Sequence, residues 1–446
     1  MTKTNQWASR TGFILATAGS AIGLGNLWKF PYLMGKNGGF FFLLAYVFFL
    51  FLLGLPIIIA EMSLGRRTKK DPVYAYAEVH PHARIVGIFG VLSAFLILSY
   101  YSVVSGWIIK YFVSYLTQWQ PPSSFDTFIS GTWEPIGWHL VFMAMTAAIC
   151  LFGIRGIERT SKVMMPALLV LLLAVLLRSV TLPGAAEGLA FIFHPRGSAF
   201  QLSSVSTALG QVFYSLSLCM GVIVTYGSYL NRKENIPRSC LTVAGLDTGI
   251  ALLAGMAVFP AVFSFGLEPG QGPSLIFGTL PKVFASFAGG SVFALLFFLL
   301  LLFAAVTSAI ALLEVVASFV MEKWGISRRP AVLLVALLAF LAGIPSSLSF
   351  GVWSEVTLFH HTIYDWVVLA VDHILLPIGG LLLCYFIGWR WKPQFLVEEI
   401  QREGVRFRLQ KVWILCIRYL APVLILIVTI SGFIGIYRIA SGGPAA

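Results

Sequence analysis

Gly19-Ser20-Ala21-Ile22-Gly23-Leu24-Gly25-Asn26-Leu27-Trp28-Lys29-Phe30-Pro31 lies inside the first apolar segment of the chain, where an unbroken helix would be expected. Three of its glycines fall within seven residues, and each costs a helix interior about 1 kcal/mol relative to alanine. In hydrocarbon, the backbone groups freed by a break have no water to bond, so the break must face protein, water, ion or ligand. Half-helices meeting there offer N–H groups to an anion and bare carbonyls to a cation. A glycine face packed on a neighbouring helix explains the glycines equally well. Ser20 and Asn26 beside them favour a site.

The surrounding chain is membrane protein throughout. Of its 446 residues 58% are hydrophobic and 11% charged, and the mean hydropathy is +0.89. Long, nearly uncharged runs recur, which makes residues 1–446 a single polytopic domain. The net charge of +12 sits in short loops between apolar runs. That is the pattern of membrane topology, not of a nucleic-acid-binding face. The five cysteines form no CxxC, so neither a disulfide framework nor a metal cluster is signalled. Ala16-Thr17-Ala18 imitates a signal-peptidase site, but the apolar stretch before it is too short, and the first segment is expected to be retained. No G-x-S-x-G, Walker A or H-E-x-x-H occurs, which argues against a hydrolase or an ATP-driven pump and for no organic cofactor.

Apolar runs mark eleven spans, near 10–35, 39–65, 86–117, 137–154, 163–181, 202–229, 238–266, 291–321, 329–345, 361–388 and 412–438. Basic residues follow every even-numbered span: Arg66, Arg67, Lys69 and Lys70, then Arg155 and Arg159, Arg232 and Lys233, Lys323 and Arg328, and Arg390 through Lys411. The intervening loops 118–137 and 346–360 carry no Lys or Arg. The positive-inside rule therefore predicts a cytoplasmic N-terminus and an external C-terminus. Pro269–Gly290 holds an apolar run too short to span, expected as a re-entrant hairpin broken at Pro281. Lys392–Lys411 is expected as a cytoplasmic amphipathic helix.

A second interruption, Tyr214-Ser215-Leu216-Ser217-Leu218-Cys219-Met220-Gly221, falls in span six. Spans one and six are five apart, which predicts five-span repeats of inverted topology, about 10–181 and 202–388, with 412–438 as an added eleventh span. Paired interruptions in the two halves point to a transport site at the midplane. Other polar groups at membrane depth are Asn26, Asp247, Thr307 and Ser308. Hard oxygen donors without clustered Cys or His suit an alkali or alkaline-earth cation. Taken alone, Thr307 and Ser308 are equally explained by bonds to their own helix. Asp247 is harder to dismiss, because a buried carboxylate needs a partner. Glu61 reads as an anchor for broken-helix backbone, and Glu314 stays unassigned.

The opening stretch, preceded by Trp7-Ala8-Ser9-Arg10, resembles the start of the neurotransmitter:sodium symporters. Lys36-Asn37-Gly38-Gly39, Gly54-x-Pro56, Glu61, Gly156-Ile157-Glu158-Arg159 and Thr307-Ser308 follow in that family's order. The resemblance implies an all-α LeuT-type fold in the cell (inner) membrane, eleven-spanned like many bacterial members. It implies two sodium (Na+) sites. The first would use the Ala21 carbonyl, Asn26, Ser215, Asp247 and the substrate carboxylate. The second would use the Gly19, Ile22 and Ala304 carbonyls with the Thr307 and Ser308 hydroxyls. The substrate pocket would be lined by Ala21, Gly23, Gly25, Ile97, Tyr101, Tyr214, Ser217, Met220, Ser308 and Leu312. In it Tyr101 would cap the carboxylate and Tyr214 would form the outer lid.

Monoamine carriers of the family have an aspartate where Gly23 stands. Gly23 therefore implies a substrate that brings its own carboxylate, a neutral and hydrophobic amino acid. Cys219 replaces the glycine often found there, an expected narrowing of the pocket. Lys29 stands for the usual outer-gate arginine, with Asp365 or Asp372 as its partner. Thr4 stands for the inner-gate arginine, leaving Lys3 to pair with Glu322. Asp247 would supply the negative charge that chloride brings elsewhere, so transport is expected to be chloride-independent. Gly156 and Pro166 would mark a turn of span five that unwinds to release sodium inward. A non-transporting amino-acid sensor or a channel on the same scaffold is the alternative, and oligomeric state is not legible.

Overall fold

The computed structural model describes residues 6–122, 124–195, 202–266, 275–285 and 289–440, and these are helical apart from short connections. Among them nine helices are long and apolar enough to cross a membrane. They are Phe40–Thr68, Pro81–Gln118, Trp133–Leu151, Gly153–Ser179, Ile236–Ser264, Gly290–Trp324, Arg328–Leu348, Ile363–Arg390 and Gln410–Ile434. Two further crossings are split. Span one runs as Arg10–Ala21 and, past the break, Phe30–Lys36; span six runs as Leu202–Ser215 and Val222–Ser228. With these two the nine make the eleven spans expected, so the chain is an all-α multi-span membrane protein.

Proline placement explains much of the helix irregularity. A widened, π-type turn occupies Gly25–Lys29, Leu50–Gly54, Leu275–Thr279, Ala370–Leu375 and Cys416–Leu420, and each ends two residues before a proline: Pro31, Pro56, Pro281, Pro377 and Pro422. Proline lacks the N–H and its ring clashes with the carbonyl four residues back, so the preceding turn opens instead of the helix stopping. This corrects the expected hairpin at Pro281. Leu275–Thr279 runs directly into Leu280–Ala285, with Pro281 in the first turn where no donor is needed. The flanking stretches 267–274 and 286–288 lie outside the described residues. The expected amphipathic helix is also shorter, spanning only Gln394–Gln401.

Spans eight and three form the centre of the molecule. Their apolar windows are 78% and 67% buried, against 33% for spans five and eleven. Spans five and eleven expose Val163, Val170, Leu177, Val423 and Ile430 as a lipid-facing surface. Where polar groups enter the interior they are tied. Arg66, 2% exposed, gives Nε to Glu399 Oε1 at 2.8 Å and an Nη donor to the Glu234 carbonyl at 2.6 Å. It also bonds the Glu399 carbonyl, binding the C-terminal end of span two to the helix after span ten. Glu314, unassigned from sequence, is gripped by Arg328 at 2.7 and 2.8 Å and by the Tyr229 hydroxyl at 2.8 Å. It joins span eight to the start of span nine and the end of span six.

Candidate substrate and sodium sites

The two breaks meet in the middle of the molecule. Span one leaves helical geometry at Ile22, whose ψ is 90°. Span six does so through Ser217, Cys219 and Gly221, whose φ values are 51°, 59° and 74°. Left-handed backbone is costly for a residue with a side chain, and structures that keep it over-determine it. Here Glu61 accepts the Cys219 N–H at 3.1 Å, and the Ser217 hydroxyl donates to the Ser20 carbonyl at 3.1 Å. Glu61 thus anchors the broken backbone as expected.

Between the breaks lies a small cavity lined by Ser20, Ala21, Gly23, Gly25, Ile97, Tyr101, Tyr214, Ser217, Met220, Val222, Ser308 and Leu312. It contains all ten residues proposed for the pocket. Ser20 and Val222 are additions; both adjoin the two interruptions, and that adjacency was the available signal. Cys219 is not among the lining residues, which corrects the expected narrowing. The lining mixes small and hydroxyl-bearing residues with apolar ones. The Tyr101 hydroxyl accepts the Leu24 N–H at 3.2 Å, and a Cβ on Gly23 would fall 2.5 Å from Ser308 Oγ and 2.9 Å from the Tyr101 oxygen. Ile97, Met220, Val222 and Leu312 supply apolar wall. Among the described residues no charged side chain lines the cavity.

Asn26, Ser215 and Asp247 converge beside Gly23. All three are fully buried. Asp247 Oδ1 accepts the Asn26 amide at 2.7 Å, while Oδ2 accepts the Ser215 hydroxyl at 2.7 Å and the Tyr46 hydroxyl at 3.1 Å. The Asn26 amide nitrogen faces the carboxylate, and its oxygen takes the Gly23 N–H at 3.3 Å. Three uncharged donors satisfy the carboxylate's hydrogen bonds without neutralising its charge, which suits a cation neighbour.

Span one touches span eight at the second group. The Ser308 hydroxyl donates to the Gly19 and Ser20 carbonyls, both at 3.3 Å. Thr307 bonds back to the Phe303 and Ala304 carbonyls at 3.0 and 3.1 Å. A Cβ on Gly19 would lie 3.2 Å from Thr307 Cβ, so Gly19 permits this approach. Gly19, Ala304, Thr307 and Ser308 are therefore brought together, with Ile22 one turn along from Gly19.

Polar and aromatic contacts tie the broken helices to their neighbours on two sides. On one side Lys29 Nζ lies 2.9 Å from Asp372 Oδ2 and 4.1 Å from the centre of the Tyr214 ring. Asp372 is thus the partner of Lys29. Asp365 instead caps the helix start, accepting the Thr362 N–H at 3.0 Å and its hydroxyl at 2.8 Å. On the other side Trp7 donates through Nε1 to the Tyr226 carbonyl at 3.1 Å, and Arg10 pairs with Glu234 at 2.9 Å. That pair was not foreseen. Lys3 lies outside the described residues, and Glu322 accepts the Asp71 N–H at 2.9 Å. Gly156 and Pro166 both sit within the helix Gly153–Ser179, unbroken here.

A cavity between two discontinuous membrane helices, flanked by converging oxygen donors, is the arrangement of a secondary transporter. The family model described as the Sodium:neurotransmitter symporter family matches residues 4–129 and 129–440, and the chain belongs to that family. It is 41% identical over 437 residues to an uncharacterized sodium-dependent transporter, YhdH, of Bacillus subtilis, covering 96% of this chain and 97% of that one. An uncharacterized sodium-dependent transporter of Haemophilus influenzae is 35% identical over 446 residues, covering 95% and 97%. The crystal structure of MhsT in complex with L-phenylalanine superposes with a TM-score of 0.89 at 44% identity, covering 96% of this chain and 99% of that one. The protein is accordingly a sodium-dependent membrane transporter with the LeuT-type fold, and not an enzyme.

Proposed function

We propose that the protein imports a neutral, hydrophobic L-amino acid together with sodium, by alternating access and without chloride. The observation that carries this reading is the polarity of the cavity. Gly23, Tyr101 and Ser308 lie together and offer hydroxyls to a carboxylate, while Ile97, Met220, Val222 and Leu312 offer only apolar contact. A zwitterion with an apolar side chain matches both kinds of wall. MhsT, whose structure holds L-phenylalanine, supports a hydrophobic substrate.

Two sodium ions are cargo in this scheme. One is assigned to the Ala21 carbonyl, Asn26, Ser215, Asp247 and the substrate carboxylate, the other to the Gly19, Ile22 and Ala304 carbonyls, Thr307 and Ser308. Because the first ion and the substrate share a charge contact, each raises the other's affinity by the same factor. The fixed charge of Asp247 in this group supports independence from chloride. The scheme further takes spans one to five and six to ten as inverted repeats, the N-terminus as cytoplasmic and the C-terminus as external in the cell membrane. Lys29, Tyr214 and Asp372 act as the outer gate, and the Gly156–Pro166 stretch loosens when the carrier opens inward.

Purified protein in liposomes tests the reading. An inward sodium gradient should drive saturable accumulation of a hydrophobic amino acid, unchanged when gluconate replaces chloride. Accumulation without a sodium gradient contradicts the coupling, and collapse in gluconate contradicts the role of Asp247.

A further inference from the structure

Away from the substrate cavity, a second crevice lies where spans five, seven and eight meet the helix Leu280–Ala285. Span five contributes Val175 and Arg178, span seven Val258 and Ala261, and span eight Phe293 and Phe297. Among the described lining residues Arg178 is the one charged side chain. Val175, Val258 and Phe297 lie one helical turn further from the helix ends than Arg178, Ala261 and Phe293. The charge therefore sits at the mouth of the crevice, and apolar wall continues beneath it. Ser179, also in the lining, turns its hydroxyl to the Ala257 carbonyl at 2.5 Å, which leaves recognition of a polar headgroup to Arg178.

Topology does not account for Arg178. It ends span five on the same side as the loops 118–137 and 346–360, which carry no Lys or Arg, and the positive-inside rule leaves that side poor in basic residues. Neighbouring Leu177 is 67% exposed, so hydrocarbon reaches this face. Arg178 Nη1 donates to the Thr181 hydroxyl oxygen at 2.7 Å, and that hydroxyl donates to the Arg178 carbonyl at 2.7 Å, which holds the guanidinium at the helix end. A planar guanidinium matches phosphate oxygens with paired bonds, and the wall beneath it matches an acyl chain. We propose that this crevice binds an anionic glycerophospholipid, its phosphate on Arg178 and one acyl chain against Val175, Val258 and Phe297. The chain fills the space behind the helix Leu280–Ala285. The turn leading into that helix carries Phe277, whose carbonyl accepts the Tyr111 hydroxyl at 2.8 Å and whose ring meets Trp28 edge-on at 6.3 Å. A lipid here braces the segment that covers Trp28. The site is separate from the substrate cavity and stands whatever the cargo proves to be.

The test reads lipid binding and not uptake. Full-length protein stripped of lipid in detergent is titrated with dioleoylphosphatidylglycerol, and native mass spectrometry gives the affinity for the first lipid. Arg178→Gln should lower that affinity about fivefold, the contribution of one basic residue to an anionic lipid. Arg178→Lys, which keeps the charge and loses the fork, should lower it less. Ala261→Phe keeps the charge and fills the crevice, so it should weaken binding too, with thermal melting as the check on folding. Dioleoylphosphatidylcholine should bind more weakly, and inorganic phosphate and glycerophosphoglycerol should not compete. Arg155→Gln, at the other, exposed end of span five, should bind as the parent does. Parent-like affinity in both Arg178→Gln and Ala261→Phe overturns the site. An equal loss in Arg155→Gln overturns it as well, since basic side chains would then attract anionic lipid without a built crevice. Competition by inorganic phosphate would assign Arg178 to a free anion and contradict the lipid.

Discussion

Replacing Gly23 with alanine should cost substrate affinity and little else. The added Cβ would lie 2.5 Å from Ser308 Oγ and 2.9 Å from the Tyr101 oxygen, both far inside contact distance. Ser308 can turn its hydroxyl aside only by giving up the Gly19 and Ser20 carbonyls, each at 3.3 Å. Tyr101 is 5% exposed and bonded to the Leu24 N–H, so its ring has little room to withdraw. Overpacking of this kind costs about 1–3 kcal/mol. The empty site can spread part of that strain, whereas a bound carboxylate occupies the same space and makes it felt in full. Affinity should therefore fall about 5- to 150-fold. Sodium-dependent binding of a radiolabelled hydrophobic amino acid to purified protein measures it, with thermal stability as the check on folding. A Gly23→Ala protein that binds within about twofold of the parent would refute the carboxylate position.

Asp247→Asn keeps the shape of the first cation group and removes its charge. A unit charge about 4 Å from a cation contributes about 4 kcal/mol at an effective dielectric of 20, so sodium should activate binding only at concentrations at least tenfold higher; an unchanged activation curve would exclude Asp247 from the site. Asp372→Asn breaks the bond with Lys29 and should speed substrate dissociation several-fold with little loss of stability, since a partly exposed pair is worth about 1 kcal/mol or less; equal off-rates would remove it from the gate. Asp71, beyond the end of span two, has its carboxyl pushed up to about 8, by burial first and then by the adjacent Glu322. The proton it retains contributes stability fully below the ordinary aspartate range, and that contribution is lost as pH rises through about 8. Between about pH 5 and about pH 9 the Tm of Asp71→Asn should consequently fall less than that of the parent; parallel curves would contradict the assignment.

Local chemistry was legible in the sequence where composition and spacing act directly. Gly19, Gly23 and Gly25 beside Asn26 announced a break, and the Ser- and Gly-rich stretch of span six announced its counterpart. Both sit in the cavity wall because hydrocarbon tolerates broken backbone only where protein or cargo receives it. The pocket positions came from the family resemblance, which carries three-dimensional information that spacing lacks. Contacts between distant segments were not legible. Arg66 and Glu399 are 333 residues apart, and nothing in either neighbourhood announces the other. Choosing Asp372 over Asp365 required the phase of span ten, which the widened turn Ala370–Leu375 alters. Pro281 was misread because a proline two residues after a widened turn lets a helix continue. Cys219 was expected to narrow the pocket because it replaces a glycine often found in the family, yet left-handed backbone at Ser217 and Cys219 breaks the helical order in which side chains would follow one another.

The central claim is that sodium and a hydrophobic amino acid occupy one shared site between the two breaks. Equilibrium binding of each of the twenty amino acids to the purified protein, with sodium and with potassium in its place, tests it most directly. The account predicts binding of hydrophobic neutral amino acids in sodium alone, with charged ones rejected. Equal binding in potassium, or preference for a charged amino acid, would contradict it.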